Sequence, residues 1–143
     1  MNAVIEFTVC GPAVPKQRPR MGGRRAYTPK KTKEYECRVR QSFSDAYKGD
    51  IPVYKEGVPV RAVIEVIQVI PQSWSKKKRE AALSGVVAPT TRNGDLDNIA
   101  KSILDALNEC VYHDDCQVTT LIISKRYGSQ PCAIVKFNED KHE

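Results

Sequence analysis

Residues 60–70 constrain the fold more than any other stretch of this chain. They alternate over eleven positions, with Val60, Ala62, Ile64, Val66 and Ile70 on one side and Arg61, Val63, Glu65, Ile67 and Val69 on the other. Successive side chains of a strand point to opposite faces. Apolar residues therefore stand on both faces, which predicts a central strand rather than an edge strand. A central strand needs a hydrogen-bonded neighbour on each side and a layer packed over it.

Other segments are available to supply both. Residues 4–9 place Ile5, Phe7 and Val9 on one face and predict a strand. Residues 11–26, rich in Pro, Gly and Arg, read as a loop. Thr28-Pro29 reads as an N-cap followed by a first-turn proline, and Tyr35, Val39, Phe43 and Tyr47 then recur every four residues. That spacing predicts a helix to about Tyr47, followed by a loop over 49–59. Residues 75–84 predict a short helix capped by Gly85. After a loop over 86–94, Ile99, Ile103, Leu104 and Leu107 form the apolar stripe of a helix over 98–108. Residues 118–127 and 132–138 predict two strands around Gly128-Ser129-Gln130-Pro131, read as an antiparallel hairpin. Trp74 reads as a packing residue rather than a platform for a base. The order β-α-β-α-α-β-β predicts an α/β (α+β) fold: one mixed four-stranded sheet with about three helices packed against it, in a single domain over 1–143.

A chain of 143 residues, 41% hydrophobic and 28% charged, can bury a core without staples. It has no apolar run of membrane-spanning length and no basic leader before an apolar stretch, so a cytoplasmic protein is expected. The five cysteines, Cys10, Cys37, Cys110, Cys116 and Cys132, are expected as free thiols. The charge is uneven. Residues 1–50 hold 11 Lys/Arg against 5 Asp/Glu, a net of +6, whereas residues 51–143 are neutral with 12 of each. A localised basic stretch suits a polyanion such as nucleic acid, although it also serves solubility alone.

The chemistry concentrates in Gly94-Asp95-Leu96-Asp97-Asn98-Ile99-Ala100-Lys101. If this segment is extended, Asp95 and Asp97 point to one side and share one small volume. Two adjacent carboxylates repel each other unless a cation joins them, and Mg²⁺ favours such oxygen donors. One member of Asp114-Asp115 could complete the set. Lys101 lies one helical turn beyond Asp97, where it could neutralise charge on a phosphate. The same residues also have plainer roles: Asp97 as an N-cap, Asp97 with Lys101 as a surface pair, and Asp114-Asp115 as turn residues. Cys110, His113 and Cys116 are zinc-capable ligands, but the only other histidine is His142 near the end of the chain.

Taken together, Asp95-Leu96-Asp97-Asn98, Lys101, Leu104-Asp105-Ala106-Leu107 and Asp114-Asp115-Cys116-Gln117-Val118 closely resemble the signature of the RusA-like Holliday junction resolvases. Residues 14–20, 27–32 and 73–78 are similar to that family too. The resemblance implies a homodimeric endodeoxyribonuclease, often prophage-encoded, that uses Mg²⁺ or Mn²⁺. It nicks four-way DNA symmetrically in recombination and repair, leaving 5′-phosphate and 3′-hydroxyl ends. It further implies Asp95, Asp97 and Asp115 as the metal-binding catalytic carboxylates and Lys101 as the essential basic residue. Asp105 matches a family position as well and could pair with Lys101. Lys16, Arg18, Arg20, Arg24, Arg25, Lys30, Lys31, Lys76 and Arg92 are the expected DNA contacts. Asn93-Gly94 stands between Arg92 and the first aspartate, where many members carry a basic residue or proline. The competing expectation is a branched-DNA-binding module of the same fold without activity, although such a module would be expected to lose an acidic ligand and this chain keeps all three.

Overall fold

The structure is a computed structural model, which describes residues 3–17, 20–22, 25–27, 29–90 and 95–141. Among these, four strands form one sheet: β1 (Ile5–Cys10), β4 (Val60–Val69), β5 (Val118–Gly128) and β6 (Cys132–Glu139), in the spatial order β1-β6-β4-β5. Three helices accompany it: α1 (Lys30–Ala46), α2 (Lys76–Leu83) and α3 (Leu96–Ala106). The mixed α+β architecture in one small domain is as the sequence predicts, with β4 in the interior of the sheet.

The neighbours of β4 differ from expectation. β5 and β6 do not form a hairpin. β5 runs parallel to β4, while β6 lies on its other side, antiparallel to both β4 and β1. The short turn after β5 therefore passes the end of β4, where Val69 stands opposite Gly128 and Ile67 opposite Cys132. The reason lies in β4: an interior strand must satisfy backbone groups along both edges. The return through α2 and α3 delivers β5 parallel to one edge, as a crossover does. β6 fills the other. Two strands around a four-residue turn look the same in sequence whether they pair or are split by a third.

A second difference is the small ribbon of β2 (Arg20–Gly22) and β3 (Arg25–Tyr27), which falls within the expected loop. Thr28, the expected N-cap of α1, lies outside the described residues; Pro29 stands at the cap position. α2 follows expectation, with the Ser75 hydroxyl accepting from Lys78 N and Gly85 at a positive φ of 89° just past its end.

One face of the sheet carries the core. Ile5, Phe7 and Val9 of β1, Ala62 and Ile64 of β4, and Val135 and Phe137 of β6 are buried with Tyr35, Val39 and Phe43 of α1 and Ile99, Ile103 and Leu107 from α3 and its end. The apolar stripes of both helices thus meet the same side of the sheet. Phe7 and Phe43 pack edge to face at 6.0 Å between ring centroids, and Tyr112 and Phe137 do so at 5.8 Å. A smaller cluster joins α2 to the end of the sheet. Trp74 packs edge to face on Tyr127 at 5.2 Å, with the Lys78 ammonium 3.9 Å from the Trp74 ring centroid. Trp74 is a packing residue here, as expected.

Candidate active site

The site is organised by α3. This helix begins at Leu96, two residues before the expected start, so Asp95 and Asp97 do not share an extended segment. Asp95 is the N-cap, and its carboxylate makes no capping hydrogen bond; Asp97 sits in the first turn. Both are exposed. A helix N-terminus favours carboxylates through its unsatisfied N–H groups and its dipole. Asp97, Lys101, Asp105 and Asn108 follow at spacings of four, four and three, which puts them on one side of the helix axis. Lys101 is exposed and forms no ion pair with Asp97 or Asp105 in this structure. At a rise of about 1.5 Å per residue, Asp97 and Asp105 stand about 12 Å apart along the axis.

The far end of α3 is built differently. Leu107 closes the helix, and Glu109 takes a left-handed conformation at φ 67° that turns the chain back. Tyr112 then buries its ring and donates its hydroxyl to the carbonyl of Leu104 at 2.6 Å. A single 3-10 turn, Asp115–Gln117, follows. Gln117 is buried and spends its whole amide on that turn. Its Oε1 accepts from His113 N at 2.8 Å and Asp114 N at 3.1 Å, while its Nε2 donates to the carbonyls of Lys55 at 2.8 Å and Val58 at 3.0 Å. The backbone N–H of Asp115 donates to Asn108 Oδ1 at 2.8 Å. Gln117 and Asn108 together determine where Asp115 stands.

It stands against Asp105. Partial burial, the hydrogen bond and charge of Asp105 and the charge of Asp114 push the Asp115 carboxyl up from 3.8 to about 6. Asp114 itself is exposed, and a hydrogen bond from the Cys116 side chain holds its carboxyl below the ordinary range. The cation that meets Asp105 is Lys16, not Lys101. Lys16 Nζ lies 3.4 Å from Asp105 Oδ2 and 2.5 Å from Glu36 Oε1 of α1. Burial works against the charge of Lys16, but Glu36 and Asp105 outweigh it and raise its pKa. The segment carrying Lys16 is itself docked on α3, since Lys16 N donates to the Asn98 carbonyl at 2.8 Å and the Ser102 hydroxyl donates to the Val14 carbonyl at 2.7 Å.

The remaining expected contacts are spread over the surface. Lys30, Lys31 and Lys76 are exposed, with Lys30 loosely paired to Glu34 at 3.8 Å. Arg18, Arg24 and Arg92 lie outside the described residues. Arg20 and Arg25 belong to the backbone of the β2-β3 ribbon. Lys16 is the exception: its side chain is only 19% exposed and its ammonium is engaged by two carboxylates. Among the described residues, no three His, Cys, Asp or Glu side chains are gathered tightly enough to hold a metal, and this includes Cys110, His113 and Cys116. Asn108, Glu36 and the anchoring role of Gln117 escaped the sequence reading. The one available signal was that Asn108 continues the polar side of α3 defined by Asp97, Lys101 and Asp105.

The chain is 36% identical over 141 residues to the Bacillus subtilis protein YqaN, which is described as uncharacterized; the match covers 94% of this chain and 96% of that protein. The profile of the endodeoxyribonuclease RusA family matches residues 11–138, a span that runs from the segment carrying Lys16 through both acidic ends of α3 to β6. The chain belongs to the RusA endodeoxyribonuclease family.

Proposed function

We propose that this protein is a divalent-metal-dependent endonuclease, with Mg²⁺ as the natural ion and Mn²⁺ able to replace it, that resolves four-way DNA junctions by paired nicks. The observation that carries the reading is the endodeoxyribonuclease RusA family match over residues 11–138, which takes in every acidic residue of this site; the closeness of Asp105, which with partial burial pushes the Asp115 carboxyl up, favours a cation at that site. Its donors are hard oxygens, the type that Mg²⁺ takes. Asp95, Asp97 and Asp115 would supply the carboxylates for one or two ions along α3: Asp95 and Asp97 at its start, where both are exposed, and Asp115 beside Asp105 at its far end. An ion bound there supplies activation of the attacking water and charge stabilisation at the phosphorus.

The protein's own groups do the rest. Gln117 and Asn108 orient Asp115, and Lys16 holds Asp105 in place. Lys101, exposed on the same side of α3, would meet the scissile phosphate electrostatically. Arg18, Arg20, Arg24, Arg25, Lys30, Lys31, Lys76 and Arg92 would contact the DNA backbone and make binding fall steeply with salt. Lys16 leaves that group because its charge is already spent within the protein. A homodimer would present two such sites to the two strands of a junction. We place its activity in the cytoplasm; no helix among the described residues is long and apolar enough to cross a membrane.

The test is cleavage of a synthetic four-way junction with Mg²⁺ or with EDTA, beside Asp97→Asn. Paired nicks that need the metal and vanish in the variant are expected. Undiminished cutting by Asp97→Asn overturns the metal-site assignment, and binding without cutting under either metal favours an inactive junction-binding module.

A further inference from the structure

Cys10 ends β1 and Cys132 begins β6, directly opposite each other in the antiparallel ladder. Two hydrogen bonds establish the phase of that ladder. Gly11 N donates to the Pro131 carbonyl at 3.0 Å, so the next opposed pair outward is hydrogen-bonded. On the other side of β6, Asp140 N donates to the Pro59 carbonyl at 2.8 Å. Counting back in register, Asn138, Lys136, Ile134 and Cys132 turn their backbone groups toward β4. Both bonds give the same result: Cys10 and Cys132 are a non-hydrogen-bonded pair. In such pairs the Cα atoms approach to about 4.5 Å and the side chains lie closest. A disulfide spans Cα separations of about 4.4–6.8 Å, so the two thiols can be bridged without moving the strands.

Access also favours the reaction. Ile5, Phe7 and Val9 point into the core, which leaves Cys10 on the face of the sheet that the helices do not cover. Cys10 is exposed and Cys132 half-buried. None of the other three cysteines is opposed to another across a strand pair.

We propose that Cys10 and Cys132 are a dithiol site that forms a reversible cross-strand disulfide by exchange with a low-molecular-weight disulfide. The Cys10 thiolate attacks one sulfur of the small disulfide and expels a small thiolate, leaving a mixed disulfide on Cys10. The Cys132 thiolate then attacks the Cys10 sulfur and expels the second. The protein gives up two electrons and two protons, and the small disulfide is reduced to two thiols. Cys10 acts first because it is exposed, whereas burial pushes the Cys132 thiol up. The bond would clasp the root of the 11–17 segment, whose far end carries Lys16 to α3.

The test uses the full reduced chain, exposed to glutathione disulfide and then mapped by mass spectrometry without reduction. A Cys10–Cys132 linked peptide should exceed any other linked pair by about tenfold and disappear on addition of dithiothreitol. Cys132→Ser should instead trap glutathione on Cys10, while Cys37→Ser should leave the linked peptide unchanged. Separate glutathione adducts on Cys10 and Cys132 without a linked peptide would overturn the proposal, as would equal yields of other pairs. The wild-type map decides the matter even if a serine variant fails to fold, and it does not depend on nuclease activity.

Discussion

The two ends of α3 carry the same residue type in opposite physical states. At its start, Asp95 and Asp97 are exposed, and among the described residues neither side chain is held by a capping bond or an ion pair. At its end, Asp105 and Asp115 touch each other inside a network of Lys16, Glu36, Asn108 and Gln117. The first pair costs the fold little and is available to a ligand. The second is preorganised, and the fold bears the cost of holding two carboxyls together. A site that must hold cations and still admit a DNA strand can use both: a fixed wall of carboxylates at one end and an open, accessible edge at the other.

The largest expected difference between the ends is one of stability rather than activity. Asp97→Asn and Asp115→Asn should each lower junction cleavage by roughly 10³-fold or more if both belong to one catalytic unit. Yet Asp97→Asn should leave urea-unfolding stability within about 0.5 kcal/mol of wild type. Asp105→Asn, measured beside them, would show whether the networked partner belongs to the same unit; cleavage at the wild-type level would assign it a packing role alone.

Gln117→Leu should cost about 2 kcal/mol in urea unfolding, because it leaves four part-buried backbone groups, of residues 55, 58, 113 and 114, without their partner. An unchanged midpoint would show that the turn does not depend on this amide. Lys16→Met should cost roughly 2 kcal/mol by leaving Glu36 and Asp105 unpaired. It should also weaken Mn²⁺ binding, read by calorimetry, by about tenfold through a displaced Asp105. Lys16→Arg should recover part of both. A variant that loses only DNA affinity would return Lys16 to the phosphate contacts.

The raised carboxyl gives a pH signature. Because the folded-state pKa of Asp115 is about 6 against an ordinary 3.8, the folded chain binds more protons than the unfolded chain between those values. Stability from this group therefore falls as pH rises through that window, and the cost is absent below it and complete above it. In EDTA, Asp115→Asn should raise stability by about 1–2 kcal/mol at pH 7.5, a figure reduced from the full shift because the site is partly exposed. The gain should fade as pH is lowered toward 4. The smallest effect is expected at the turn that follows α3. Glu109→Gly should stabilise by about 0.5–1 kcal/mol in thermal unfolding, because glycine accepts the left-handed conformation without penalty.

Periodicity made most of the elements legible. The alternation of 60–70, the four-residue spacing of Tyr35, Val39 and Phe43, and the stripe of Ile99, Ile103, Leu104 and Leu107 each mark a surface that must be buried. A local pattern carries that requirement wherever its partners lie. The resemblance in the acidic segments likewise named the family, because it rests on residue types at fixed spacing. What local pattern could not carry was partnership. The split of β5 from β6 arose because β4 needed neighbours on both edges. The choice of Lys16 over Lys101 for Asp105 arose because the 11–17 segment docks on α3 from far away in the chain, through the Lys16 N–Asn98 carbonyl bond and the Ser102 hydroxyl on the Val14 carbonyl 88 residues back, contacts that leave no trace in composition. The sequence thus specified which surfaces and side chains the protein would use. Long-range packing chose which of them met, and so made one pair of aspartates a fixed wall and the other an open edge.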